Sequence, residues 1–232
     1  MLQVDGLVKN FGGLKAVDNL SFEVKKGEIL GIIGPNGAGK SVTFEMISGF
    51  YPPTRGRVFL NGDCITGLQP HQILRYGLAR SFQGTQIFPE FNPYQTVLVA
   101  ALCSLPMKKA RQRAEEILEF LGLVGKKDWP ITSLTLPELK LVELGKVIAS
   151  DPRILLLDEI MAGLTQTDEI ANILSGLRDE GRTLLIVEHR IDALTSLCDR
   201  IIALNFGKKI TEGTPQQVMT HPEVIEAYLG KE

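Results

Sequence analysis

Residues 34–41 read Gly-Pro-Asn-Gly-Ala-Gly-Lys-Ser, and each residue type suits the binding of phosphate. The spacing G-x-x-x-x-G-K-[ST] is met by Gly34, Gly39, Lys40 and Ser41. Glycines let successive backbone N–H groups turn inward and approach an anion where a Cβ would collide. A helix beginning near Gly39 would aim its positive end at that anion. Lys40 would place a point charge on the β- and γ-phosphates of ATP, and the Ser41 hydroxyl is a hard-oxygen ligand for Mg²⁺. Pro35, Asn36, Gly37 and Ala38, with Val42 just beyond, complete the expected ATP-binding stretch. Average residue frequencies give this pattern by chance in roughly one chain of this size per hundred. Here the β-branched run Ile29–Ile33 enters it and a helical run leaves it, the context that chance does not supply.

Two further places carry chemistry. The apolar run Ile154–Leu157 delivers Asp158 and Glu159 at the carboxyl end of an expected strand. Asp158 there would hold the Mg²⁺ shell, and Glu159 would polarise an attacking water as general base. His189 follows the expected strand Thr183–Val187 through Glu188. Alone it reads as a polar strand-end residue, but parallel strands present ligands at their carboxyl ends, where it would face the γ-phosphate. His71 and His221 have no such placement and read as surface residues.

The elements that must position these groups alternate between strand-like and helix-like, which argues for an α/β fold. Leu20–Val24 alternates as a half-buried strand, and Ser41–Ser48 reads as a helix closed by Gly49. Arg57–Leu60 followed by Asn61-Gly62 signals a hairpin in an antiparallel portion. From about Gln83 to Ser150 helix signals dominate, with amphipathic helices at Lys108–Leu121 and Leu139–Ala149. The continuous apolar runs 154–157 and 183–187 suit central parallel strands covered on both faces. The chain closes on a short amphipathic helix, Pro222–Leu229.

Composition narrows the classes. With 232 residues, 44% hydrophobic and 22% charged, the chain is ordinary for a globular protein. A net charge of −2 gives no support for a general nucleic-acid binder, which should show a basic excess, and no nucleic-acid partner is expected. No apolar run approaches the roughly 18–20 residues that cross a bilayer, and the N-terminus lacks a signal-type apolar core, so a cytosolic protein is expected. Cys64, Cys103 and Cys198 are isolated and fit neither a disulfide framework nor a zinc site, so buried or half-buried thiols are expected.

With these pieces in this order, the whole chain resembles the ATP-binding subunit of an ABC transporter. The resemblance implies the P-loop ABC ATPase fold: a mixed sheet core with an antiparallel β portion and an inserted helical subdomain. The core would take about 1–82 and 151–232, and the helical subdomain about 83–150, within one domain over 1–232. It implies that Phe11 stacks on adenine, that Gln83 in ARSFQGTQIF senses Mg²⁺ and the attacking water, that LLLDE at 155–159 carries Asp158 and the catalytic Glu159, and that His189 is the switch histidine. FGGLKAVDNLSFEV, ISGFYPPTRGRV and the ending GTPQQVMTHPEVIEAYLG resemble subunits of bacterial branched-chain amino acid importers. Homologues serving urea, short amides or aromatic acids share these strings.

Departures from the family pattern accompany the match. Where the family has LSGGQ before the helix 139–149, this chain has LTLPE at 134–138. Leu136 and Pro137 replace both glycines, Pro137 has no N–H to donate, and Glu138 adds a negative charge near the place of a partner's γ-phosphate. Equally, proline and an acid are good helix starters. Ile160 replaces the usual proline and Thr165 the usual aspartate of the segment after Asp158-Glu159. In the family two ATPase subunits close head to tail, each loop completed by the other's signature. Intact cis motifs with an altered trans motif therefore point to a heterodimer with a second ATPase subunit. Other implied partners are membrane-spanning permease subunits and, indirectly, an external solute-binding protein. The chain would lie peripherally on the inner face of the cell membrane. Gln86–Asn92, with Ile87, Phe88 and Phe91, would line a permease-docking groove or bury its own aromatics. A binding-only subunit and a soluble non-transport ABC ATPase remain as alternatives.

Overall fold

The computed structural model describes residues 1–82, 84, 88–164 and 167–229. The first two strands, β1 (Leu2–Phe11) and β2 (Leu14–Val24), form a long hairpin, followed by β3 (Ile29–Ile33), the phosphate loop and α1 (Lys40–Ile47). Next come β4 (Arg55–Leu60), β5 (Asp63–Cys64), α2 (Pro70–Arg75) and β6 (Leu78–Arg80). Among the described residues three α-helices follow: α3 (Pro93–Leu102), α4 (Met107–Phe120) and α5 (Leu136–Ala149). The chain then alternates through β7 (Ile154–Asp158), α6 (Asp168–Asp179), β8 (Thr183–Val187), α7 (Ile191–Leu197) and β9 (Arg200–Asn205). It ends with β10 (Lys208–Gly213), α8 (Pro215–Met219) and α9 (Pro222–Leu229).

Among the described residues the strands make an antiparallel sheet of order β2-β1-β4-β5 and a six-stranded mixed sheet of order β10-β9-β3-β8-β7-β6. In the second, β6, β7, β8, β3 and β9 run parallel, and β10 pairs antiparallel on β9. Asn61 and Gly62 take φ 53° and 93°, the left-handed pair that a two-residue hairpin between β4 and β5 needs.

The period-2 alternation of β3, β7 and β8 divides two apolar cores. Ile29, Ile33, Leu155, Leu157, Leu184 and Ile186 face a core shared with helices α3 to α7. Leu30, Ile32, Leu156, Leu185 and Val187 face the other, shared with Phe44 and Ile47 of α1 and the antiparallel sheet. Both faces are thus covered, which is why these strands read as continuous apolar runs. The sheet is thereby fixed rigidly, and its carboxyl edge is where β3, β7 and β8 end side by side.

Several expectations need correction. β2 begins six residues before Leu20, and α5 begins at Leu136 rather than Leu139. Cys64 and Cys103 are exposed, and Cys198 alone among the thiols is buried. His71 is exposed, whereas His221 is half-buried.

Candidate nucleotide site

β3 runs directly into Gly34, so the sheet aims the loop. A Cβ on Gly34 would sit 2.3 Å from the Leu204 carbonyl oxygen, and one on Gly39, at φ 96°, would sit 2.6 Å from that of Ala16. Glycine is therefore required at both positions by close backbone approach. The Ala38 N–H is used on Pro35 O at 3.1 Å. Among the described residues the N–H groups of Asn36, Gly37 and Gly39 have no hydrogen-bond partner. Lys40 Nζ is buried and donates to Gly34 O at 2.7 Å and Pro35 O at 3.1 Å. Burial lowers its pKa, opposed by the charges of Glu159 and Asp158.

A cleft of about 440 Å³ joins Phe11, Asn36, Lys40, Ser41, Glu159 and His189, among others. Phe11, the last residue of β1, is 41% exposed and stands edge-on to Tyr51, with Lys9 Nζ 5.1 Å from its ring centre. Glu159, just past β7, and His189, just past β8, meet across adjacent strands, with Glu159 Oε1 and His189 Nε2 2.8 Å apart. A proton on Nε2 makes the ring the donor and the carboxylate the acceptor.

Asp158 is fully buried at the end of β7. Its Oδ2 accepts from Arg80 Nη2 at 3.1 Å, and its Oδ1 has no partner among the described residues. Burial raises its pKa, and the Arg80 guanidinium opposes the rise. A partnerless carboxylate oxygen beside a phosphate loop, with the Ser41 hydroxyl at the start of α1, suits a hard divalent cation.

The profile of the ABC transporter family matches residues 17–162. The chain belongs to that family. A second profile, branched-chain amino acid ATP-binding cassette transporter, matches residues 208–232. The chain is 35% identical to the high-affinity branched-chain amino acid transport ATP-binding proteins BraF of Pseudomonas aeruginosa and LivG of Escherichia coli, covering 100% of this chain and 98% of each relative. It is also 36% identical to the lipopolysaccharide export system ATP-binding protein LptB of Acidithiobacillus ferridurans, covering 99% and 97%. A structure of a nucleotide-free ATP-binding cassette from an ABC transporter superposes with a TM-score of 0.92 at 31% identity, and a structure of the ADP conformation of an ABC transporter cassette with 0.91 at 32%. Each comparison covers 100% of this chain and 99% of the solved one.

One cleft of this ABC ATPase thus brings together Phe11, residues 36–42, Glu159 and His189, with the Gly34 and Pro35 carbonyls bonded to Lys40 and the charge of Asp158 acting on it. Gln83 and Thr165 lie outside the described residues, as do Gln86 and Ile87. The groove between the sheet and the helices is lined among the described residues by Phe50, Leu74, Phe82 and Cys103 rather than by Phe88 and Phe91, which pack on each other at 5.3 Å. At 134–138 the structure shows the helix start, one of the two readings of this segment. Thr135 is the N-cap of α5 and Pro137 sits in its first turn. Glu138 Oε2 accepts from the Thr135 N–H at 2.9 Å, and its Oε1 pairs with Lys126. Those bonds, Lys126 first, hold the Glu138 carboxyl below its ordinary range. The added acid is a helix cap already paired with a lysine.

Four residues that support this site from behind escaped the sequence reading. Arg80 lies on a three-residue strand, too short for a periodic signal. Tyr228 of α9 accepts from the Gly34 N–H at 2.8 Å, tying the chain's last helix to the loop. Glu188 is 1% exposed, and burial pushes its carboxyl up to about 7. Its neighbour Arg190 donates to Leu164 O at 3.0 Å. Only Glu188 carried a signal, an acid between an apolar strand and a strand-end histidine.

Proposed function

We propose that this ABC ATPase hydrolyses Mg²⁺-ATP to drive import of branched-chain amino acids or a related small polar solute. The observation that carries the hydrolytic reading is the 2.8 Å contact between Glu159 and His189 at the mouth of the loop cleft. Phe11 would stack on adenine, and the partnerless N–H groups of the loop, with Lys40, would hold the phosphates. Ser41, Asp158 and Gln83 would hold Mg²⁺, which when bound neutralises charge developing on the phosphates. Glu159 would take the proton of the attacking water, with His189 fixing the carboxylate's orientation. We assign the core to about 1–82 and 151–232 and the helical subdomain to about 83–150. No helix among the described residues is long and apolar enough to cross a membrane. Membrane-spanning permease subunits would carry the solute path and dock in the groove beside Phe50 and Phe82, holding this chain on the inner membrane face.

Glu159→Gln should keep ATP binding while turnover falls by about 10²–10⁴-fold, the contribution of a positioned base. Unchanged steady-state phosphate release from the assembled complex would remove Glu159 from that role. The 208–232 match and the names of BraF and LivG support branched-chain amino acids as the solute, and import is the direction we propose. Uptake of labelled leucine by vesicles holding the assembled complex tests it. The altered 134–138 segment supports pairing with a second ATPase subunit bearing LSGGQ. Equal, robust turnover per chain with and without such a subunit would contradict that pairing.

A further inference from the structure

Glu159 takes φ 53°, a left-handed backbone that a non-glycine residue keeps only where its surroundings over-determine it. Its own N–H donates to Val187 O at 2.9 Å. Three side chains then hold the segment 159–164 from outside. Lys140 Nζ, reaching from α5, donates to Glu159 O at 3.1 Å. Glu188 Oε1 accepts the N–H of Met161 at 2.6 Å, and Arg190 Nη1 donates to Leu164 O at 3.0 Å. Lys140 is 7% exposed and Glu188 1%, and the Met161–Glu188 bond is buried. Glu188 and Arg190 flank His189, so one short loop carries the histidine and grips the segment that carries its carboxylate partner.

We propose that Glu188 is a positioning residue which, through the Met161 amide, locks segment 159–164 onto the His189 loop and keeps Glu159 aimed at its histidine. The proposal rests on the reading of Glu159 and His189 as the hydrolytic pair. Glu188 itself is not among the residues lining the nucleotide cleft, so it acts on the site through its neighbours, and the Met161 amide is the bonded route. A backbone N–H on a buried carboxylate is a charge-assisted bond, and removing the acceptor leaves that N–H unsatisfied in the interior. Gln in its place keeps an acceptor oxygen of the same reach.

The test uses the full chain and its assembled complex. Glu188→Ala should leave equilibrium ATP affinity within about twofold while kcat falls about 10–100-fold, the size of one lost bond to a charged group. Amide hydrogen exchange of residues 160–164 should accelerate in the same variant, and Glu188→Gln should restore both readouts. The proposal is overturned if Glu188→Ala keeps kcat, if exchange at 160–164 does not change, if affinity falls in step with kcat, or if Gln fails to rescue. Should Glu188→Ala not fold, the unaltered chain decides: a fast-exchanging Met161 amide overturns the lock and a protected one supports it. Glu159→Gln separates the two readings. Turnover retained there defeats the base assignment, while exchange at 160–164 still reports on Glu188.

Discussion

The phosphate loop and the start of α5 are both chain segments that open onto a helix, and they are finished in opposite ways. At the loop, the N–H groups of Asn36, Gly37 and Gly39 lack partners among the described residues, and so does Asp158 Oδ1 nearby. At α5, the Thr135 N–H goes to Glu138, and Glu138 goes on to Lys126. One segment leaves its polar groups for a ligand, whereas the other satisfies them with its own side chains. Both are good helix starts, so helix formation cannot distinguish them. The difference lies in whether glycine lets the backbone itself face the anion.

The largest break in that contrast should come from Gly34→Ala. The added methyl would meet the Leu204 carbonyl oxygen at 2.3 Å and the Ala38 side chain at 2.8 Å, both fixed by packing. We expect a stability loss above about 4 kcal/mol, in the range of strained backbone sites, or a displaced loop with ATP affinity down more than about 100-fold. Denaturant melts and equilibrium nucleotide binding check this together. A variant that binds and folds normally would show that the loop is not held by β9. Arg80→Met comes next. It leaves Asp158 buried and charged with its guanidinium removed, and should cost about 3 kcal/mol as read from urea midpoints. A neutral result would mean that Asp158 already lies protonated.

A third effect depends on pH. Burial raises the Glu188 carboxyl from 4.5 to about 7 in the folded chain. Between those values the folded state binds more protons than the unfolded one, so stability falls as pH rises through the window. Glu188→Gln cannot titrate. Its stability advantage over the unaltered chain should therefore grow from near zero below pH 4.5 to roughly 2–3 kcal/mol at about pH 8. Parallel melts at the two pH values measure it, and a constant difference would place Glu188 in a more polar setting.

The same contrast explains what was legible in the sequence. The apolar runs 29–33, 154–157 and 183–187 announced strands because both sheet faces are covered, and the glycines at 34 and 39 announced a loop because no other residue fits there. β1 was harder to see: Gly6 at φ 56° and register shifts between Val4 and Lys9 break its alternation. Arg80, Tyr228, Glu188 and Arg190 act through partners far away in sequence, at Asp158, Gly34, Met161 and Leu164, so no local pattern marks them. Glu138 was visible, but its role was open. An acid three residues after a threonine is a capping box as readily as a charge aimed at a partner.

Glu138→Ala separates those two roles, and its effect should be the smallest. Losing the cap bond on Thr135 and the partner of Lys126 should cost about 1 kcal/mol of stability. ATP affinity of this chain should not move, because Glu138 is not among the residues lining the loop cleft. The decisive readout is turnover in a complex with an LSGGQ-bearing subunit whose own loop is completed by 134–138. If Glu138 is only a cap, turnover at that second loop should stay within about fivefold, the most that about 1 kcal/mol accounts for. A rise of tenfold or more on removing the acid would instead mean that its charge reaches the partner's phosphates. The start of α5 would then be an open, ligand-facing segment like the loop, merely carrying the wrong sign.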